Sequence, residues 1–321
     1  MGFKGLFLGL HDGKSFYGLD FCLLGEKGKN RKKPYGLTAQ QLKNRYHKQR
    51  DKAVAGYRRK EEYFQKKTQM LLSMIKTAIS RGIRFDYPLV DSWFVNYELI
   101  SFILTRKIKP HLLGMVKMGN TKYMYADKEY TAKELIEKQK RNRKTKRSRK
   151  LNLWYCMVDV TFRDIEIRLF FCKVKRAGKW NVLLTTNRDL DFEQAYKLYA
   201  RRWHIEVFFK ESEQYQGLGK CQSQDFDAQI VDTAISVIQY NILSLTKRLS
   251  DYETIGGLFR EISAETLQLT IAEKIWLNIL QILEIISEVF DIDLEELCDK
   301  IADENQLFAK MLNFKPNIQA A

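Results

Sequence analysis

The chain has 321 residues, 45% of them hydrophobic and 12% aromatic, which is the composition of a globular protein and excludes the disordered class. A formal net charge of +16 at pH 7 predicts a polyanionic partner, because Lys and Arg release condensed counterions when they neutralise phosphates. The sequence contains no run of about 18 apolar residues, which excludes a membrane-spanning helix and leaves nucleic acid as the favoured partner over an inert basic surface. The five scattered cysteines indicate reduced thiols of a cytosolic protein rather than a zinc site.

The first predicted elements are two strands, Phe3–Leu10 and Ser15–Leu24, joined by a hairpin turn over residues 11–14. A strongly basic stretch over residues 27–60 predicts an exposed loop that leads into a helix. That helix is predicted over residues 61–78 from its apolar spacing, with Gly82 as a C-terminal stop.

A short apolar run, Tyr87–Val90, predicts a strand that ends at Asp91 and is followed by a helix over residues 97–106. Asp91 has two interpretations, a functional carboxylate at a strand end or the N-cap of the following helix. The order of strand, carboxylate and helix predicts an α/β layer in which polar groups at strand ends face a common cleft.

Four strands are predicted in the middle of the chain, at residues 112–116, 151–160, 165–174 and 180–185. A helical basic stretch over residues 133–150 interrupts them, with nine Lys or Arg among the thirteen residues from Lys138 to Lys150. Such density is typical of a mobile, solvated arm, either a solubilising loop or a contact with phosphates. The candidate phosphate contacts in the arm are Lys144, Lys146, Arg147 and Arg149.

The region from Asp191 onwards is predicted to be helical throughout, with Asp191 and Gln194 in capping-box positions. Beyond residue 251 the charge becomes acidic, and the amphipathic run over residues 267–290 predicts a packing helix that does not touch DNA. On the helical wheel Glu206 shares one broad face with aromatic residues, where an unpaired carboxylate would cost several kcal/mol. Arg202, four residues earlier, is the expected ion-pair partner, and a plain helix ion pair is the alternative to a catalytic carboxylate. The predicted face consists of Tyr196, Tyr199, Trp203, Glu206, Val207 and Lys210.

Two carboxylates far apart in sequence, Asp91 and Glu206, could converge on divalent metals such as Mg²⁺ or Mn²⁺. Hard cations take oxygen ligands, and a metal pair suits in-line displacement at phosphorus.

At these positions the chain resembles DDE transposases of the insertion-sequence-four-like type. Asp91-Ser-Trp-Phe94 resembles the second catalytic block of that family, and Tyr199-x-x-Arg202-x-x-x-Glu206 resembles the third. Further similarity lies in Gly9–Phe16, Asp86–Phe94 and Leu184–Asn187, so the resemblance covers nearly the whole chain.

The resemblance implies an α/β fold with an RNase H-like core interrupted by a β-rich insertion, and a helical C-terminal region. Asp91 and Glu206 would be catalytic metal ligands for Mg²⁺ or Mn²⁺, while Tyr199, Arg202 and Lys210 would position DNA. The partners would be double-stranded DNA at the element's terminal inverted repeats and at the target, and a second copy of the chain in the DNA complex. A bacterial, cytoplasmic, nucleoid-associated protein is expected. The implied regions are a first core part at 1–107, the insertion with its basic arm at 108–186, a second core part at 187–250 and an acidic helical region at 251–321.

The sequence departs from the family pattern at two places. The Lys expected seven residues after Glu206 is Glu213 here, and Lys210 is the nearest substitute. The family's first catalytic Asp lies on a core strand upstream of the block at Phe3–Phe21, so it has no counterpart in this chain; Asp12 and Asp20 are the nearby carboxylates. We therefore expect either a transposase that lacks its first strand or a non-catalytic DNA-binding remnant. An RNase H-type nuclease is a third reading, which the Tyr-x-x-Arg-x-x-x-Glu spacing disfavours.

Overall fold

The computed structural model describes residues 3–25, 32, 40, 51–223, 225–250, 252–268, 271–290 and 293. The chain divides into two units, residues 1–251 and residues 252–321. Most of the predicted basic loop at 27–60 and the end of the acidic region lie outside the described residues.

The first two strands, β1 (Lys4–His11) and β2 (Phe16–Leu24), form an antiparallel hairpin that makes its own two-stranded sheet. Asp12 closes the turn, because its Oδ1 accepts hydrogen bonds from the backbone N–H groups of Lys14 and Ser15, each at 2.9 Å. Gly13 has φ +101°, a conformation that glycine adopts without steric cost. The predicted hairpin is confirmed.

Two helices follow, α1 (Ala55–Glu62) and α2 (Lys67–Ser80), where the sequence predicted one helix over residues 61–78. The interruption has a tertiary cause, since the Tyr63 carbonyl accepts a hydrogen bond from Gly25 N–H at 2.9 Å. Gly82 ends α2 as predicted, with φ +83° and its N–H donating to the Ile79 carbonyl at 3.0 Å.

Strand β3 (Leu89–Val90) is shorter than predicted and leads through Asp91 to helix α3 (Tyr97–Leu104). Asn96 caps α3, since its side chain accepts a hydrogen bond from Leu99 N–H at 2.8 Å. Asp91 instead accepts a hydrogen bond from Trp93 N–H at 2.8 Å, in a turn that precedes the helix. The interpretation of Asp91 as the N-cap of this helix is therefore wrong.

The second sheet has eight strands in the order β3-β4-β10-β9-β8-β5-β6, with β7 paired to β8. Only the β3–β4 pair is parallel among these described strands. Its core is formed by apolar side chains of β9, such as Leu169 and Phe171, packed with Ile100 and Ile103 of α3. The remaining strands are β4 (Leu113–Val116), β5 (Lys122–Tyr125), β6 (Lys128–Thr131), β7 (Lys146–Ser148), β8 (Leu153–Phe162), β9 (Ile165–Lys173) and β10 (Asn181–Thr185).

The basic stretch over residues 133–150 is a helix only as far as Arg141. Helix α4 (Ala132–Arg141) begins with a capping box between Thr131 and Glu134 and buries Leu135 against the sheet. The stretch then forms β7, which pairs antiparallel with β8. Backbone pairing and an apolar helix face anchor this segment to the sheet, so it is not a detached arm. The expected solvation of its charged side chains is confirmed, since every Lys and Arg from Arg143 to Lys150 is exposed.

The chain from Asp191 contains α5 (Phe192–Ala200), a 3₁₀ turn (Arg201–Trp203), α6 (His204–Tyr215) and α7 (Phe226–Leu249). The capping box of Asp191 and Gln194 is present as predicted. An unbroken helix through Glu206 was predicted and is wrong, because the 3₁₀ turn changes the helical phase between Tyr199 and Glu206.

The second unit contains α8 (Ile255–Gln268) and α9 (Ile271–Phe290), and α9 matches the packing helix predicted over residues 267–290. Among the described residues of the chain, no helix is both long and apolar enough to cross a membrane. The fold class is mixed α/β, as predicted.

Replacing Asn96 with Ala should lower the free energy of unfolding by about 1 kcal/mol, because the first turn of α3 loses its side-chain acceptor. Chemical denaturation of the two proteins measures the difference. Asn96→Ser keeps an acceptor at the cap and should recover most of the loss; equal destabilisation by Ser and Ala would contradict the capping role.

Candidate active site

A cavity of about 630 Å³ opens between β1 and the segment over residues 83–91. Asp91 and Glu206 both line it, together with Arg202. Side chains of α2 form another part of the wall, among them Leu71 and Ile75. The structure therefore brings the two sequence-predicted carboxylates into one cavity, although they come from different layers of the fold.

Glu206 lies in the first turn of α6 and forms an ion pair with Arg202, with 2.5 Å between Arg202 Nη2 and Glu206 Oε1. The side chains are 27% exposed for Arg202 and 37% for Glu206, so neither charge is fully solvated. Burial acts to lower the pKa of Arg202, but the hydrogen bond to Glu206 and nearby negative charge raise it overall. Arg202 is therefore a permanent cation beside Glu206, and the predicted ion pair is confirmed.

Tyr199 and Asp91 complete the surroundings of Arg202. The Arg202 guanidinium lies 5.8 Å from the centre of the Tyr199 ring. Burial raises the pKa of Tyr199 and the negative charge of Asp91 adds to the rise, while Arg202 opposes it. Asp91 also helps raise the pKa of Arg202. A single guanidinium thus interacts with both candidate carboxylates and with the tyrosine hydroxyl.

The other members of the predicted helical face are dispersed. Trp203 is 60% exposed, and Lys210 is exposed on α6 and does not line the cavity. Trp203 lies in the 3₁₀ turn itself, and Lys210 lies on α6 one turn beyond Glu206. The structure brings Tyr199, Arg202 and Glu206 together and leaves Lys210 apart from the cavity wall.

The oxygen ligands in the cavity meet the needs of a divalent metal only in part. Asp91 and Glu206 offer the oxygen ligands that Mg²⁺ and Mn²⁺ prefer, but one Glu206 oxygen is bonded to Arg202. Asp12 lines the cavity, yet its oxygens accept from the turn backbone and from Arg248. Asp20 is paired with Arg59 at 2.9 Å. In the described part of the chain no group of three His, Cys, Asp or Glu side chains could hold a metal ion.

The shape of the cavity is a feature that the sequence did not reveal. Among the described strands, β1 pairs only with β2, and β3 pairs only with β4. The free side of each strand lines the cavity, through residues 5–11 of β1 and through Leu89 and Val90 of β3. Two strand edges with unpaired backbone groups therefore face one space.

Both faces of β1 are covered by apolar groups, which is typical of a strand inside a sheet rather than at its edge. Leu6 and Leu8 pack against the core cluster that contains Leu71 of α2. On the other face, the Phe7 ring lies 5.6 Å from that of Phe208 and 5.1 Å from that of Phe209. The cavity thus has the surroundings of a further strand between β1 and β3.

Basic side chains that were not among the predicted site residues lie at the end of β1. The rings of His11 and His204 are 4.1 Å apart, and Arg201 lines the cavity beside them. Burial lowers the pKa of His11, and the charges of His204 and Arg201 lower it further. The Gly13 N–H donates to His11 Nδ1 at 2.9 Å, which links the histidine to the hairpin turn. No sequence motif marks this cluster, because its members come from separate elements.

The four candidate phosphate contacts, Lys144, Lys146, Arg147 and Arg149, are all exposed. They lie in and beside β7, whose end is tied to α5: Ser148 Oγ donates to Glu193 Oε1 at 2.6 Å, and Lys150 Nζ lies 3.8 Å from Glu193 Oε2. The basic edge is thereby anchored to the helix that carries Tyr199.

Comparison with known proteins gives one family match. A model of the family described as Transposase DDE domain matches residues 66–242, which is more than half of the chain. The match includes Asp91, Tyr199, Arg202 and Glu206. No curated protein gives a significant match to the chain.

His11 makes the stability of the fold sensitive to pH. Because its folded-state pKa lies below the value of 6.5 in the unfolded chain, its favourable contribution is present above about pH 6.5. The contribution is lost as pH falls from there through the folded-state pKa, since the unfolded chain binds the proton more tightly. His11→Asn should reduce the fall in unfolding free energy between pH 7 and pH 5, measured by chemical denaturation. An unchanged pH dependence would contradict this role, and His111→Asn provides the matched histidine control.

Proposed function

The chain belongs to the DDE transposase family, and we propose that it performs metal-dependent DNA strand cleavage and strand transfer at insertion-sequence ends. The observation that carries this proposal is the convergence of Asp91 and Glu206 on one cavity, with Arg202 interacting with both. We assign it to the insertion-sequence-four-like type from the spacing of Tyr199, Arg202 and Glu206.

Asp91 and Glu206 would supply two oxygen ligands to Mg²⁺ or Mn²⁺, and the metal would supply Lewis-acid activation of oxygen at the phosphodiester. Arg202 holds Glu206 in position in the absence of DNA, and its permanent charge suits it to orient a phosphate. Tyr199 is half-buried beside it, so its hydroxyl is placed to contact the DNA end. These roles are assigned to the side chains by their positions and charges.

The proposed metal site needs a third carboxylate ligand besides Asp91 and Glu206. The space between β1 and β3 offers room for it. A strand in that space would join the hairpin to the eight-stranded sheet. In the family that the chain resembles, the first catalytic Asp lies on such a strand. We therefore propose an RNase H-like core made of residues 1–107 and 187–250, with residues 108–186 as a β-rich insertion and 251–321 as a helical C-terminal region.

The proposed partner is double-stranded DNA. The protein would bind the ends of the element, with their terminal inverted repeats, and the target DNA. The net charge of +16 and the exposed basic edge at β7 support this assignment. A protein of this activity would work in the bacterial cytoplasm, associated with the nucleoid.

A non-catalytic DNA-binding remnant is the second candidate function. It is favoured by one specific observation, the lack of a three-carboxylate group among the described residues. In that case the basic edge would still bind DNA, whereas the pair Asp91 and Glu206 would cut nothing.

Glu206→Gln and Asp91→Asn should each reduce strand cleavage at least 100-fold, because each removes a charged metal ligand. The assay measures cleavage of labelled terminal-repeat DNA with Mg²⁺ or Mn²⁺. Glu213→Gln is the matched control, since Glu213 is exposed on the same helix and should leave cleavage unchanged. Cleavage that survives Glu206→Gln would contradict its role as a ligand, and no cleavage by the parent chain would favour the remnant.

Replacing Lys144, Lys146, Arg147 and Arg149 with Gln should weaken DNA binding and flatten its salt dependence. Each lost phosphate contact lowers the slope of log affinity against log salt by about 0.9. Fluorescence anisotropy at several salt concentrations measures the slope. A control with Lys76, Arg81, Lys107 and Lys109 replaced by Gln loses the same charge from other exposed positions, and equal slopes for the two variants would contradict a specific role for β7.

A further inference from the structure

An exposed tryptophan lies next to one of the two candidate carboxylates. Trp93 is 71% exposed on the turn that follows β3, which is a high value for a side chain whose burial would contribute strongly to folding. The turn has its apolar anchor in the neighbouring Phe94, which packs against the core of the eight-stranded sheet. The fold therefore does not use the indole ring of Trp93 as a core group.

The backbone of this turn ties Trp93 to Asp91. The Trp93 N–H donates to Asp91 Oδ1 at 2.8 Å, and the Phe94 N–H donates to the Asp91 carbonyl at 3.2 Å. Asp91 lines the cavity, whereas Trp93 is not part of its wall. A DNA strand whose phosphate reaches Asp91 therefore brings a neighbouring nucleotide close to the exposed ring.

Two lysines from other elements surround the ring of Trp93. Lys117 follows β4, and its Nζ lies 3.5 Å from the ring centroid. Lys67 is the first residue of α2, and its Nζ lies 5.9 Å from the same centroid. Most of the indole surface stays open beside these ammonium groups, since the side chain is 71% exposed. An aromatic surface for a base and cations for the adjoining phosphates are the two components of single-stranded nucleic-acid sites.

We propose that Trp93, with Lys67 and Lys117, is a stacking site for an unpaired base of the DNA strand bound at Asp91. Inside a duplex both faces of a base are covered by its neighbours, so only an unpaired or terminal base can offer a face to the indole. The site would therefore favour DNA that is unpaired near the reacting phosphodiester. It would not read sequence, because every base has a face that can stack.

An exposed indole is also a frequent centre of contacts between proteins. The two ammonium groups beside Trp93 and the net charge of +16 favour a polyanion instead. Nucleic acid offers both phosphates for the lysines and flat rings for the tryptophan. The inference rests on the proposed function for the place of the reacting phosphodiester, but stacking itself requires neither metal nor cleavage.

Binding of a labelled single-stranded oligothymidine without divalent metal, measured by fluorescence anisotropy, tests the proposal. Trp93→Leu should weaken binding about 10-fold, because leucine keeps an apolar side chain but offers no ring for stacking. Trp93→Phe should recover most of the affinity. Trp180→Leu is the matched control, since Lys173 Nζ lies 4.5 Å from the centroid of that half-buried ring, and it should bind as the parent chain does. Circular dichroism checks the folding of each variant.

A long, fully paired duplex separates stacking from general DNA binding. Because few of its bases are terminal, the parent chain and Trp93→Leu should bind it almost equally. Oligothymidine should also quench the indole fluorescence of the parent chain more than that of Trp93→Phe.

Three results would overturn the proposal: no binding of oligothymidine by the parent chain, equal affinity of the parent chain and Trp93→Leu for it, or equal losses of affinity for oligothymidine and duplex. These assays contain no divalent metal, so a chain that cuts no DNA would contradict the proposed chemistry and leave their outcome unchanged.

Discussion

The ion pair between Arg202 and Glu206 is the interaction on which the site depends. Carboxylates that are partly removed from water need a compensating charge, and Arg202 provides it for Glu206 directly and for Asp91 through space. The 3₁₀ turn that contains Arg202 also joins α5 to α6, so the same residue sets the geometry between Tyr199 and Glu206. A plain helix ion pair would not account for Asp91, whose charge acts on Arg202 from a distant part of the chain.

The hairpin is held to the rest of the first unit by α7. Asn241 makes two hydrogen bonds of 2.8 Å with the backbone of Gly18, and Ser244 Oγ donates to the Phe16 carbonyl at 2.9 Å. A Cβ atom at Gly18 would lie 2.8 Å from Val237 Cγ1, so only glycine allows this close approach. These contacts fix β1 at a defined place opposite β3 even though the two strands are not paired.

Helix α7 therefore positions the wall of the cavity through the hairpin. Its buried face, which includes Phe226, Val237 and Tyr240, packs within the first unit.

The sequence alone determined the features that depend on local chemistry. Asp12 and Gly13 specified the hairpin turn, Gly82 ended α2, Asp191 began α5, and the spacing of Arg202 and Glu206 predicted their ion pair. The resemblance at Asp91 and Glu206 indicated the family that the later match established. Local signals sufficed in these cases because each interaction joins residues within four positions of one another.

Only the tertiary structure decided the rest. The break between α1 and α2 follows from a hydrogen bond to Gly25, and β7 is a strand because β8 offers it a partner. The cluster of His11, His204 and Arg201 joins elements that are distant in sequence, so no spacing could reveal it. The same is true of the space between β1 and β3, since an unpaired strand edge exists only after the sheets have formed.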